Sequence, residues 1–219
     1  MNYVKNIVNL YKKNIIFSSK YDNFVNKEIM NRLIDHLDYI NLQPKFIVSC
    51  LVNRDFEKLI KNLYKKSILI NLLYQHIPSY RKERNKSLVL DNTIDLFILD
   101  FSLNWNSNFS FLLKEVSRIS KNDSIILLAN IDSITCNKLT VNNKILDRYI
   151  LSNILSKNKM KNIVIDSVCL KLYYISYKKF FTDFVSSGLF LIGDIDLHTL
   201  SLPIQVEINL NFGYCNVVK

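Results

Sequence analysis

The stretch SLVLDNTIDLFILDFSLNWNSNFSFLLKEVSRISKNDSIILLANIDSIT, Ser87 to Thr135, decides the fold. Inside it, Ile94 to Phe101 is a short, continuous apolar run rich in β-branched residues, the pattern of a strand covered on both faces. Phe109 to Ile119 then sets Phe111, Leu112, Val116 and Ile119 on one side of a helix. Ser124 to Ile131, SIILLANI, is a second buried strand. A strand, a helix and a strand in this order form a right-handed crossover between parallel neighbours.

The same alternation extends in both directions. Residues 22 to 40 place Phe24, Val25, Ile29, Leu33, Ile34, Leu37 and Ile40 at spacings of mostly three and four, which predicts a helix. A strand follows over Lys45 to Val52, then a helix over Asp55 to Lys66 with Phe56, Leu59, Ile60 and Leu63 inward, then a strand over 67 to 74, SILINLLY. Gln75 to Lys86 is polar and reads as a loop or short helix. After Thr135 come a helix around Lys144 to Ser156, an extended segment from Ile163 to Ile175, a helix from Tyr177 to Ser187 capped by Gly188, and an extended segment from Leu202 to Val218. The expected architecture is α/β: a mostly parallel sheet with helices on both faces and an antiparallel C-terminal edge. One domain spans 1–219, with residues 1–20 as an N-terminal extension.

Composition narrows the function classes. Only three glycines occur, Gly188, Gly193 and Gly213, all near the C-terminal end, so no glycine-rich nucleotide loop exists anywhere earlier. Residues spelled by A- and T-rich codons are over-represented along the whole length, as a mutational bias would produce. The net charge of +10 is spread over many segments and forms no single basic stripe, which weighs against a nucleic-acid surface. Cys50, Cys136, Cys169 and Cys215 show neither a CxxC pair nor metal-ligand spacing with His36, His76 or His198; they read as buried thiols in a reducing compartment, with no metal site. The start MNYVKNIVNLYKKNIIF is interrupted by Lys5, Lys12 and Lys13, unlike a signal peptide, and no apolar run is long enough to span a bilayer. The expectation is a cytoplasmic monomer that binds neither nucleic acid nor membrane.

Three stretches together carry a family resemblance: RLIDHLDYINLQPKFIVSCL (Arg32 to Leu51), the opening stretch Ser87 to Thr135, and LPIQVEINLNFGYCNVVK (Leu202 to Lys219). In this order they resemble the malonyl-acyl-carrier-protein O-methyltransferases of biotin synthesis, which are class I, Rossmann-like, S-adenosylmethionine-dependent methyltransferases. The resemblance implies methyl transfer from S-adenosylmethionine to the free carboxylate of a malonyl thioester on acyl carrier protein. Such a transfer needs no general base, because the acceptor is already ionised at neutral pH. Catalysis then rests on holding the two reactants in line in a dry pocket.

The resemblance also says where the cofactor is held, and there the sequence departs from the family. The turn after the first strand, an acidic residue followed by alternating glycines in the family, reads Ser49, Cys50, Leu51, Val52, Asn53, Arg54, Asp55. Side chains stand at Leu51, Asn53 and Asp55 where the family keeps bare backbone, and only Asn53 is a natural stand-in for a positive-φ glycine. Ser49 replaces the acidic contact to the methionine moiety. Asn71 ends the second strand where an acidic residue would accept from the ribose hydroxyls. Between Tyr74 and Ser87 the chain lacks one helix, one strand and the acidic contact to adenine. Asp100, near the expected transfer position, replaces a family Asn and would repel a malonyl carboxylate; Trp105 is either a pocket wall or core.

The cofactor candidates are therefore Ser49, Asn53, Asn71 and Asp100, and no catalytic residue is assigned. Lys144, Arg148, Lys178 and Lys179 are either a contact for an acidic acyl carrier protein or solvated helix faces. Two functional readings stay open: a methyltransferase with a degraded cofactor site, or a non-catalytic pseudo-methyltransferase acting as a partner-binding protein or decaying gene product.

Overall fold

Helix α1 (Phe24–Ile40) forms because Ile29, Leu33 and Leu37 recur every fourth residue and bury one stripe, with Met30 beside it. Phe24 lies outside that stripe and is exposed. The helix stops at Asn41, which takes a left-handed φ of 44°. The structure, a computed structural model, describes residues 24–49, 54–71, 89–99, 109–136, 139–140, 147–180, 183 and 201–219. The N-terminal extension, the Gln75 to Lys86 stretch and most of the helix expected from Tyr177 to Ser187 lie outside these residues.

In chain order the further elements are β1 (Phe46–Ser49), α2 (Arg54–Leu63), β2 (Ile68–Asn71), β3 (Ile94–Leu99), α3 (Phe109–Ile119), β4 (Ser120–Cys136), β5 (Leu139–Thr140), α4 (Arg148–Lys157), β6 (Met160–Tyr174) and β7 (Ile204–Val217). The sheet order is β2-β1-β3-β4-β7-β6, with β5 paired to the end of β4. Strands β2, β1, β3 and β4 are parallel neighbours. Strand β7 runs antiparallel to both β4 and β6, so the antiparallel strand lies inside the C-terminal edge and β6 closes the sheet beyond it. Among the described residues β2 ends the sheet on the other side.

Two apolar layers sandwich the strands. Ile47, Leu96, Ile98, Ile125 and Leu127 face α1 and α2. Val48, Phe97, Leu99, Ile126 and Leu128 face α3 and α4. Because both faces are covered, alternate residues of one strand feed opposite cores, and the strands read as continuous apolar runs.

Three expectations change. Leu59 and Leu63 of α2 are exposed, since Phe56 and Ile60 alone complete the narrow buried stripe of a ten-residue helix. β4 spans Ser120–Cys136, well beyond the apolar SIILLANI. Its N-terminal end is paired to β3 at Ser120 and its C-terminal end is held by the ladder to β7 and the short hairpin to β5, which no local apolar pattern announces.

Cys169 is exposed, contrary to the buried thiol expected, because this part of the edge strand β6 has no helix over its α3/α4 face; Cys215 is buried in the core beneath α4. Burial pushes the Cys215 thiol up to about 12. Iodoacetamide at pH 8 is expected to alkylate Cys169 quickly and to spare Cys215 until the fold opens, as read by peptide mass spectrometry. Equal labelling of the two peptides in the folded protein contradicts this assignment.

Two local features fix how the strands meet. The Asp95 carboxylate accepts from the backbone N–H of Lys45 and Phe46, both at 2.9 Å, and pairs with Lys121 Nζ at 2.5 Å, tying the entrance of β1 to β3 and β4. Burial alone would raise its pKa; the Lys121 ion pair and the two N–H donors outweigh that and hold it below the ordinary value of 3.8. Its contribution is therefore complete above that value and fades as pH falls through the depressed one. Asp95→Asn is expected to cost about 1–2 kcal/mol at neutral pH. The gap to the parent protein should shrink on acidification below about pH 4 in urea melts.

The second feature is Gly213. Strand β6 shifts register between Lys161 and Val164, with Asn162 at φ 52°, and this brings the Val164 carbonyl against Gly213. A Cβ on Gly213 would stand 2.1 Å from that oxygen. Its glycine is required by close approach of a neighbouring backbone.

Candidate functional site at the carboxyl ends of the central strands

From β1 the chain crosses through α2 to β2 on one side and afterwards returns to β3 on the other. Such a reversal opens a crevice outside the carboxyl ends of the strands, where doubly wound folds bind ligands. Ser49 is the last residue of β1 and lies in register with Asn71, the last of β2, and with Ile98 of β3. The structure therefore brings Ser49 and Asn71 side by side at the mouth of the crevice. Asn53 immediately precedes α2 and Asp100 immediately follows β3; both lie outside the described residues, as do Leu51, Trp105 and Lys144.

Of the four cofactor candidates, only Ser49 has a described side chain. It is 0% exposed, and its Oγ has no hydrogen-bond partner among the described residues. The adjacent N-terminus of α2 carries Asp55 and Glu57 in its first turn, which offset the positive end of the helix dipole. These carboxylates pair with Lys58 at 3.0 Å and Lys61 at 2.8 Å.

A second polar group adjoins the crevice and was not anticipated from sequence. Strand β4 pairs with β3 up to Leu128 opposite Leu99, the last described residue of β3, and continues to Cys136, where β5 pairs with it. Asn130 stands just past Leu128, in register with Asn211 of β7, which is in register with Ser167 of β6. Both asparagines are 0% exposed. The signal was present as asparagines interrupting apolar strands, ANI at 129–131 and NLN at 209–211. Nearby, Asp132 occupies a register shift in β4; burial, then the charge of Asp147, raises its carboxyl above the ordinary value against the pull of Arg148. Among the described residues no group of three or more His, Cys, Asp or Glu is placed to hold a metal ion. Nor is any described helix long and apolar enough to cross a membrane.

Known structures with this arrangement include Haemonchus contortus phosphoethanolamine N-methyltransferase 2, solved with phosphomonomethylethanolamine and S-adenosylhomocysteine. It superposes with a TM-score of 0.53 at 9% identity, covering 86% of this chain and 53% of that one. The YcgJ protein of Bacillus subtilis superposes at 0.52 with 9% identity, over 85% of this chain and 98% of that one. The fold is the class I methyltransferase fold. In sequence, the chain is similar to malonyl-[acyl-carrier protein] O-methyltransferase 1 of Coxiella burnetii (strain RSA 493 / Nine Mile phase I), with 22% identity over 187 residues. That match covers 77% of this chain and 66% of the relative, just under two thirds of its length. No family model matches the chain.

S-adenosylmethionine carries a sulfonium and an ammonium cation. At the end of β1 Ser49 carries a neutral hydroxyl. No carboxylate is described at the end of β1.

Proposed function

We propose that this chain is a methyltransferase-fold protein of the malonyl-acyl-carrier-protein O-methyltransferase type whose S-adenosylmethionine site has lost the groups that bind the cofactor tightly. The observation that carries the reading is Ser49: buried, uncharged and without a described partner at the end of β1. A charge-assisted contact to the cofactor's ammonium is about twice as strong as a neutral one, and a serine cannot make it. The side chains at Leu51 and Asn53 add Cβ atoms in a turn where close backbone approach is the usual device.

The inherited reaction class is carboxyl O-methylation in biotin synthesis, with acyl carrier protein as the partner and the cytoplasm as the setting. The exposed Arg148, Lys178 and Lys179 support an acidic partner, although Lys179 already pairs with Asp183 at 2.8 Å.

Calorimetric titration of the full chain with S-adenosylhomocysteine tests the reading. No saturable heat is expected up to millimolar ligand, and micromolar binding overturns it. A second reading, a wholly non-catalytic partner-binding protein or a decaying gene product, is favoured by the missing segment between Tyr74 and Ser87. Growth of a biotin-requiring strain complemented by this chain would exclude that second reading.

A further inference from the structure

The sheet face beneath α3 and α4 is apolar up to the level where β3 ends. Ile126 and Leu128 of β4, Cys215 and Val217 of β7, and Ile163 and Ile165 of β6 all pack there. One step further, the same face of all three strands turns polar at once, with Asn130, Asn211 and Ser167 side by side in register. Two hydrogen bonds hold the row: Ser167 Oγ donates to Asn211 Oδ1 at 2.7 Å, and Asn130 Nδ2 donates to the Ile131 carbonyl at 3.1 Å. Asn211 Nδ2 is left with no acceptor among the described residues although the residue is 0% exposed. An unmet buried donor is a standing cost to the fold, and the costliest arrangement is a partly satisfied network.

The surroundings choose among acceptors. Helix α4 runs back along β6 from the turn at Asn158 and Lys159, and its ten residues rise about 15 Å, or roughly four to five strand residues. Its first turn therefore lies near Ile165, just short of the row. Asp147 caps that turn, accepting from Tyr149 N–H at 2.6 Å, and Asp132 follows Asn130 by two residues. Burial, then the charge of Asp147, raises the Asp132 carboxyl against the pull of Arg148. Two carboxylates against the single cation Arg148 disfavour an anionic ligand and leave a neutral oxygen as the matching acceptor.

We propose that the Asn130–Asn211–Ser167 row is a ligand subsite for a neutral carbonyl oxygen, of a thioester or an amide, which accepts a hydrogen bond from Asn211 Nδ2. The subsite stands whether or not S-adenosylmethionine binds.

The test is a titration of the full chain, 15N-labelled at asparagine, followed through side-chain amide resonances. The probes are S-acetyl-N-acetylcysteamine, N-methylacetamide and acetate. The Asn211 amide pair, assigned by its loss in Asn211→Leu, is expected to shift saturably with the neutral probes and not with acetate. Response to both neutral probes assigns an amide; response to the thioester compound alone assigns the thioester carbonyl. Ser167→Ala, at the exposed end of the row, frees Asn211 Oδ1 and is expected to weaken binding at least threefold.

The absence of a saturable shift with either neutral probe, tighter binding of acetate, or unchanged affinity in Ser167→Ala each overturns the proposal. If Asn211→Leu does not fold, backbone correlations supply the assignment and the Ser167→Ala result decides. None of these outcomes bears on cofactor binding, so failure here and failure of the functional reading remain distinguishable.

Discussion

Gly213→Ala is expected to lower stability by about 3–5 kcal/mol, much of the total available to a domain of this size. The added Cβ would sit 2.1 Å from the Val164 carbonyl oxygen, where real Cβ contacts essentially never fall below 3.0 Å. The obstacle is a backbone atom of an adjacent strand, so no rotamer change relieves it. Relief requires β6 and β7 to separate, and that strains the ladder on both sides of the β6 register shift. Urea denaturation followed by circular dichroism measures the loss, and a change below about 1 kcal/mol would show that the ladder yields easily at this point.

Ser49→Asp is expected to cost about 3 kcal/mol at pH 7, whereas Ser49→Ala is expected to be neutral or to gain up to about 1 kcal/mol. The two changes probe one fact from opposite sides. Alanine removes a hydroxyl that has no described partner; aspartate places an ionisable group at a position with 0% exposure and no described cation. Burial would raise the folded-state pKa of that aspartate above its unfolded value. The penalty is therefore absent below about pH 4, grows as pH rises through the unfolded value, and levels off above the folded one. Stability curves from pH 4 to 8 check the sign. A pH-independent loss in Ser49→Asp points to steric crowding, and a loss above 1 kcal/mol in Ser49→Ala means the hydroxyl is bonded after all.

Much of the fold was legible because its signals are local. Helix α3 falls on the residues its spacing predicts, Phe109 to Ile119, and the strands in FIVS, IDLFIL and SIILLANI are covered on both faces, as continuous apolar runs imply. The ends of β4 were illegible because Ser120 is paired across to Ile94 of β3, and the stretch after Ile131 becomes strand through pairing with β7, about seventy residues later in the chain. The site divides in the same way. Ser49 and Asn71 could be read from where their strands stop, and they do meet in register. The Asn130–Asn211–Ser167 row could not, because each asparagine alone looks like a local blemish in an apolar strand; only the sheet register makes them neighbours.

The scarcity of glycine has a visible counterpart in the backbone. Asn41, Asn92, Asp123, Lys159 and Asn162 all hold positive φ, the conformation glycine adopts at least cost. Asparagine and aspartate reach it more readily than other side chains do. A composition poor in glycine therefore still turns its helices and bulges.

The position of β7 between β4 and β6 has a consequence in time. Synthesis delivers β1 through β6 first, yet among the described residues β6 has no hydrogen-bonded neighbour in the sheet other than β7, and one edge of β4, from Ile125 to Cys136, waits for the same strand. A nascent chain that has emerged only as far as residue 200 would display an unpaired β6 and an open edge on β4, the kind of surface that recruits chaperones or aggregates. Closure is then a single late event once Ile204 to Val217 has emerged, and the dwell time before it is the interval in which this fold is most vulnerable.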